Sequence, residues 1–196
     1  MAGSGGGAPI YIDVSYLMET IQKMKNAMLP SSFQEMMRRT FNDAGKKVKT
    51  IIRQEVPKEY AVTASWAGSA VGWPQMQGLG VIIPIKGARG SIGGTFSVLG
   101  GRGRPRKGRR AKITAKILKG GASTLPNTLP HQGGNPPFMN GKMAFTRTTR
   151  QAYPIARVVG LGVPQMPINR SKAGVEKEIK TVVEKRLLNH FSLLFR

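Results

Sequence analysis

Apolar residues recur at three- and four-residue steps at both ends of the chain and at two-residue steps in its middle. From Ser15 to Met28, Leu17, Ile21, Met24 and Met28 take the spacing of a short amphipathic helix, and Pro30 ends it. Ser31 and Ser32 open a second helix, with Ser32 and Glu35 in the three-residue relation of a capping box. Phe33, Met37, Phe41, Ala44, Val48 and Ile51 form its stripe to about Glu55, and Pro57 stops it. Lys46, Lys47, Lys49 and Arg53 lie off the stripe and read as a solvated face.

Tyr60 to Gly72 is small and apolar, with Trp66 and Trp73 expected as packing anchors. Strand-like runs then follow at Val81 to Ile85, Thr95 to Leu99, Ala111 to Leu118, Lys142 to Thr148 and Ile155 to Val159, parted by Gly and Pro. In the third run Ile113, Ala115 and Ile117 share one face and Lys112, Thr114 and Lys116 the other, as in a half-buried strand with a basic outer side. Gly120 to Pro137 reads as a long loop. From Ser171 onward Val175, Ile179, Val182, Val183, Leu187, Phe191 and Leu194 form a single stripe, the clearest helix in the chain. It reads as core or as a subunit contact. The pattern predicts an α+β domain over 10–196: two N-terminal helices, an antiparallel sheet of about five strands with long loops at 100–110 and 120–137, and a C-terminal amphipathic helix. Residues 1–9, with their GSGGG run, read as a flexible leader.

Charge changes this picture most. The chain carries 31 Lys and Arg against 9 Asp and Glu, a net charge of +22. All nine acids fall between Asp13 and Glu59 or between Glu176 and Glu184, so Tyr60 to Val175 holds 17 cations and no acid. Such a segment attracts polyanions, while the mixed-charge flanks suit contacts with protein. With no cysteine, disulfides and thiolate metal sites are excluded. No apolar run approaches the roughly 18 residues that span a bilayer, and no signal peptide is visible, which predicts a soluble intracellular protein.

Catalytic chemistry finds little support. His131 sits in the Pro/Gly loop with no acid nearby in sequence, and His190 borders the last apolar stripe as a packed or boundary residue. The acid-free middle lacks paired carboxylates for acid–base or two-metal work. The glycine clusters lack the Lys and Ser/Thr of a phosphate-binding loop. No enzyme, cofactor or metal is expected. The ten residues GRGRPRKGRR at 101–110 stand apart, with Arg102, Arg104, Arg106, Lys107, Arg109 and Arg110 between two strand ends. Guanidinium forks suit phosphate oxygens, and the interleaved Gly and Pro keep the backbone slim. One reading is phosphate contact without base reading, helped by Lys112 and Lys116. The other is a free DNA-binding protein that uses GRGRP as a minor-groove hook. No stacking set of aromatics accompanies the loop, which argues against single-strand recognition there.

The stretch PPFMNGKMAFTRTTRQAYPIARVVGLGVPQM, 136–166, followed by the amphipathic helix, resembles the minor tail protein Z family of long-tailed bacteriophages. The resemblance rests on Phe138, on Phe145-Thr146-Arg147, on Pro154-Ile155, and on Gly160-Leu161-Gly162-Val163-Pro164-Gln165-Met166. The chain has Gly-Leu-Gly where the family often has Gly-Pro-Ser before Val-Pro. Upstream, a basic helix followed by Lys58-Glu59-Tyr60-Ala61-Val62 is compatible with it. The resemblance implies a non-enzymatic tail completion protein acting at the head-proximal end of the tail in head–tail joining. It also implies a homo-oligomer, with a ring expected. Its partners would be the tail terminator, the tail tube or other neck proteins, and the tape-measure end or viral double-stranded DNA. It would reside in the virion, and in the host cytoplasm during assembly.

Overall fold

A computed structural model describes residues 9–11, 15–77, 80–99, 112–125, 137–148 and 154–193. Its axis is α2, Pro30–Glu59, a helix of 30 residues and so about 45 Å long. Before it come β1 (Ile10–Tyr11), a 3₁₀ turn (Ser15–Leu17) and α1 (Met18–Asn26). After it come α3 (Ala64–Ser69) and a run of short strands, then α4, Lys172–Leu193. The class is α+β, with helices at both ends of the chain and antiparallel sheets between them.

Two boundaries of α2 differ from those its sequence predicts. The helix begins at Pro30 rather than at the serines, because Leu29 is already extended and proline's fixed φ suits the first helical position. Glu35 does not cap; it turns outward to Arg38 and Arg39. At the far end the helix runs through Pro57 to Glu59. Proline there removes one amide and leaves the bonds beyond it intact: the Tyr60 amide still donates to the Val56 carbonyl at 3.0 Å. That end is also fastened from outside. Val56 and Tyr60 are buried, and the Ala61 and Lys119 amides donate to the Ile117 and Glu59 carbonyls across to a strand.

The buried side of α2 is wider than its predicted stripe, since Met36, Thr40, Gly45, Ile52, Glu55 and Val56 are buried as well. The cause is double cover, with α4 packed along one flank and α3 and a sheet along the other. On the α4 side, Val175, Ile179, Val183 and Leu187 are buried, so most of the terminal stripe is core rather than subunit contact. Phe191 is half-buried. These residues join Phe33, Phe41, Ile52, Ile83, Phe96 and Met166 in one hydrophobic cluster.

Instead of one sheet of about five strands, the described residues form four small antiparallel sheets. β2 (Gln75–Gln77), β3 (Gly80–Ile83) and β1 make the first, with β3 in the centre. β4 (Arg89–Ser91) pairs with β11 (Val159–Gly162) in the second. β5 (Ser97–Leu99), β6 (Thr114–Leu118) and β7 (Gly121–Thr124) make the third. β8 (Phe138–Asn140), β9 (Met143–Arg147) and β10 (Ile155–Arg157) make the fourth. β7 lies inside the stretch that composition reads as loop. It forms because Thr124 and Ser123 can pair with Thr114 and Ala115 across a two-residue turn at Lys119–Gly120. The run Ile155 to Val159 is divided because Val158 changes partner: its amide donates to Ala144 of β9, while its carbonyl accepts from Ile92. A chain rich in Gly and Pro breaks its ladders early and spreads them over several faces of the core.

Candidate polyanion-binding surface

The acids among the described residues sit on helices α1, α2 and α4. Several are already occupied. Glu35 accepts from Arg38 and Arg39 at 2.8 to 2.9 Å, and these hydrogen bonds, Arg38's first, bring its carboxyl down to about 2. Asp43 lies 3.6 Å from Lys46 and 3.3 Å from Nε2 of His190. Lys58 donates to Glu55, and Lys172 of α4 lies 3.7 Å from Glu176. His190 is therefore a boundary residue between α2 and α4, as its place beside the apolar stripe predicts.

The strand half is electrostatically different. Lys86, Arg89, Lys112, Lys119, Lys142, Arg157 and Arg170 are exposed, Lys116 is half-exposed, and none of them pairs with a carboxylate among the described residues. Lys116 projects from β6 on the side opposite the buried Ala115, and Lys112 precedes the strand on the same alternation. Ser97 stands across from Lys116, Leu99 across from Thr114, and the Thr114 hydroxyl donates to the Leu99 carbonyl. The outer side of β5–β6–β7 thus carries Lys112, Lys116, Ser97 and Thr114, with the exposed Leu99 among them. Arg102, Arg104, Arg106, Lys107, Arg109 and Arg110 lie outside the described residues. The residues on either side of them, Leu99 and Lys112 to Thr114, belong to or lead into two antiparallel neighbours.

The motif residues fall into two groups with structural roles. Phe138 and Phe145 face each other across β8 and β9, their rings stacked at 6.2 Å and 26°, and the Arg147 guanidinium lies 5.8 Å from the Phe138 centroid. Ile155 pairs with Arg147 as β10 begins, and the Pro154 carbonyl accepts from the Thr148 amide and hydroxyl, both at 3.1 Å. Pro164, Gln165 and Met166 form the second group. Val163–Gln165 is a 3₁₀ turn in which Gln165 Oε1 accepts from the Gly162 amide at 3.2 Å. Pro164 and Met166 are buried, so this turn anchors the start of α4 against the core.

Trp66 meets the packing expectation, edge-on to Phe96 at 6.0 Å. Trp73 does not: it is 82% exposed. Pro74, not the indole, occupies the space against α2, where Gly45 leaves room for it. Among the described residues no three His, Asp or Glu side chains converge to hold a metal ion, and no helix is long and apolar enough to cross a membrane.

No family model, curated protein or solved structure matches the chain. The resemblance of 136–166 to minor tail protein Z therefore rests on its motif residues alone.

Proposed function

We propose that the chain is a structural, non-enzymatic component of a phage tail that acts at the head-proximal end of the tail, with its cationic strand half facing viral DNA or the inner tail proteins. One observation carries the polyanion part of this reading. The cations of the strand half, the exposed Lys112 and the half-exposed Lys116 among them, have no carboxylate partner among the described residues, whereas Arg38 and Arg39 of α2 share Glu35. Unpaired cations on a polar sheet face bind phosphate by counterion release and read little sequence. The tail assignment is supported by the motif at 136–166. Its residues stack across β8–β9 and anchor α4, the roles through which a short motif fixes a scaffold.

In this arrangement the helices supply the contacts with neighbouring subunits. Leu188 and Leu193 on α4 and Leu29 ahead of α2 are exposed at one end of the helix pair and form the apolar part of that contact. The test has two arms. Light scattering and electron microscopy of the purified chain should give a closed oligomer with an opening that passes duplex DNA. Duplexes rich in A·T and in G·C should bind with equal affinity and a steep salt dependence. A monomer with an A·T preference would overturn the assignment in favour of a minor-groove hook. In a phage that carries the gene, deletion should yield heads and tails that fail to join.

A further inference from the structure

We propose that Trp73 and the ridge Lys49–Arg53 of α2, together with Lys86, form a site for single-stranded nucleic acid, in which the indole stacks on an unpaired base and the cations hold the flanking phosphates. The inference rests on the polyanion reading above and adds to it a second ligand form and a second location, away from β6.

The geometry comes from three close approaches. Gly45, Lys49 and Arg53 follow one another at four-residue steps and so share a ridge of α2. Gly45 lies against Pro74; a Cβ there would come within 2.5 Å of the proline ring. Eight residues along, the Arg53 side chain lies over Gly68 of α3. The connection from α3 to β2 therefore runs beside this ridge, with Trp73 on it. On its other side, the Gly72 amide donates to the Pro84 carbonyl at 2.8 Å and the Lys86 amide to the Ala70 carbonyl at 2.9 Å, which brings Lys86 alongside. Lys49, Arg53 and Lys86 are exposed and have no carboxylate partner among the described residues.

Three of the four acids of α2 are engaged elsewhere, and the fourth, Glu59, lies at the end of the helix, six residues beyond Arg53. Glu35 is held by Arg38 and Arg39, Asp43 is turned to Lys46 and His190, and Glu55 is turned to Lys58 and packs near Gly174 of α4. The ring is also available. Phe138 and Phe145 already stack on one another and under Arg147, and Trp66 already meets Phe96, but Trp73 has no ring or cation partner among the described residues. A free aromatic face beside unpaired cations is the combination that sequence-tolerant single-strand sites use. A protein partner reading this patch would have to bring its own acids to three cations, and a second copy of this chain offers none in its strand half.

The experiment is fluorescence titration of the full chain with an oligo-dT strand and with a duplex of equal length, across a salt series. Trp66 and Trp73 are the only two tryptophans, so Trp66 serves as an internal reference. Oligo-dT should quench the exposed fraction of the emission. Trp73→Ala should weaken oligo-dT binding by about tenfold or more, as expected for one stacked base, and leave duplex binding unchanged. Trp73→Phe should restore much of it, since a phenyl ring still stacks. Lys49→Gln with Arg53→Gln should lower the single-strand salt slope by about 0.7 for each phosphate no longer neutralised. Unchanged oligo-dT affinity in Trp73→Ala overturns the site. So does Trp73 emission shielded by self-association without nucleic acid, which would mark a contact between copies. If neither strand form binds the wild-type chain, the polyanion reading itself fails. If duplex binding persists and only the Trp73 arm fails, this inference alone falls.

Discussion

On α2 and α4 several cations come with acids: Glu35 holds two arginines, Asp43 lies between Lys46 and His190, and Glu176 lies beside Lys172, while Lys49 and Arg53 of α2 have no carboxylate partner among the described residues. On the strands and the connections between them, Lys86, Arg89, Lys112, Lys119, Lys142 and Arg157 face solvent with no carboxylate partner among the described residues. The two halves also bury different things. The helix pair buries a row of long apolar side chains, while the sheets are built of strands of two to five residues joined by turns. Stability should therefore be concentrated in the helix pair and unneutralised charge in the strands. A mutation in one half should then leave the other half's property nearly untouched.

The largest expected effect is in the helical core. Phe41 of α2 is fully buried, and Leu187 of α4 is buried in the same hydrophobic cluster. Either residue replaced by alanine should cost about 3–5 kcal/mol, read as a drop in denaturant midpoint at constant slope. The remaining folded protein should bind duplex DNA as before. A loss of binding larger than the loss of folded protein would mean that the polyanion surface extends onto the helix pair.

Next comes the turn that joins two of the sheets. Gly93 has φ +93°, and a Cβ there would strike the Lys142 carbonyl at the start of β9. Gly93→Ala should cost at least about 1–3 kcal/mol from the backbone conformation alone, and hydrogen exchange should show the opening confined to β4, β8 and β9. A uniform loss of protection would show that the sheets and helices unfold as one unit.

The six-residue α3 has no stripe to read, but helices α1, α2 and α4 were legible in the sequence because their apolar stripes have an unambiguous period. Even so, the width of α2's buried side was not, since a stripe implies one neighbour and α2 has neighbours on both flanks. Pro57 misled because a proline in the last turn removes only one hydrogen bond, and the strong anchoring of Val56 and Tyr60 outweighs it. The five predicted runs all contain strands, but β1, β2, β4, β7 and β8 were not read, being short or lying in stretches that composition marks as connection, and nothing local in Ile155 to Val159 announces that Val158 passes from one ladder to another. For the surface, the alternation Lys112, Thr114, Lys116 against Ile113 and Ala115 was enough to orient β6. Trp73 was not readable, because an indole's size argues for burial and only the packing of Pro74 on Gly45 turns it out.

Smaller effects belong to the surface. Lys112→Gln with Lys116→Gln should leave stability within about 0.5 kcal/mol, as surface changes do. It should lower the salt slope of duplex binding by about 0.9 for each phosphate no longer neutralised, with equal weakening for A·T-rich and G·C-rich duplexes. An unchanged slope would move the DNA-binding face away from β6.

The smallest change tests the comparison from the other side. The Glu35 carboxyl is held at about 2 against an ordinary value of 4.5 by its hydrogen bonds to Arg38 and Arg39. A lowered pKa in the folded state favours folding above the unfolded value and loses that contribution as pH falls toward 2. The pair is exposed, so the contribution is small and screened by salt. Glu35→Gln should therefore show a slightly lower denaturant midpoint than wild type at pH 7, with the difference shrinking between pH 4.5 and 2. The same substitution frees two arginines and makes this turn of α2 resemble the sheets. If unpaired cations are what distinguish the strand half, Glu35→Gln should bind duplex DNA more tightly at low salt and with a steeper salt slope. Should it bind no better, the sheets' affinity would owe more to the arrangement of their cations than to the absence of acids.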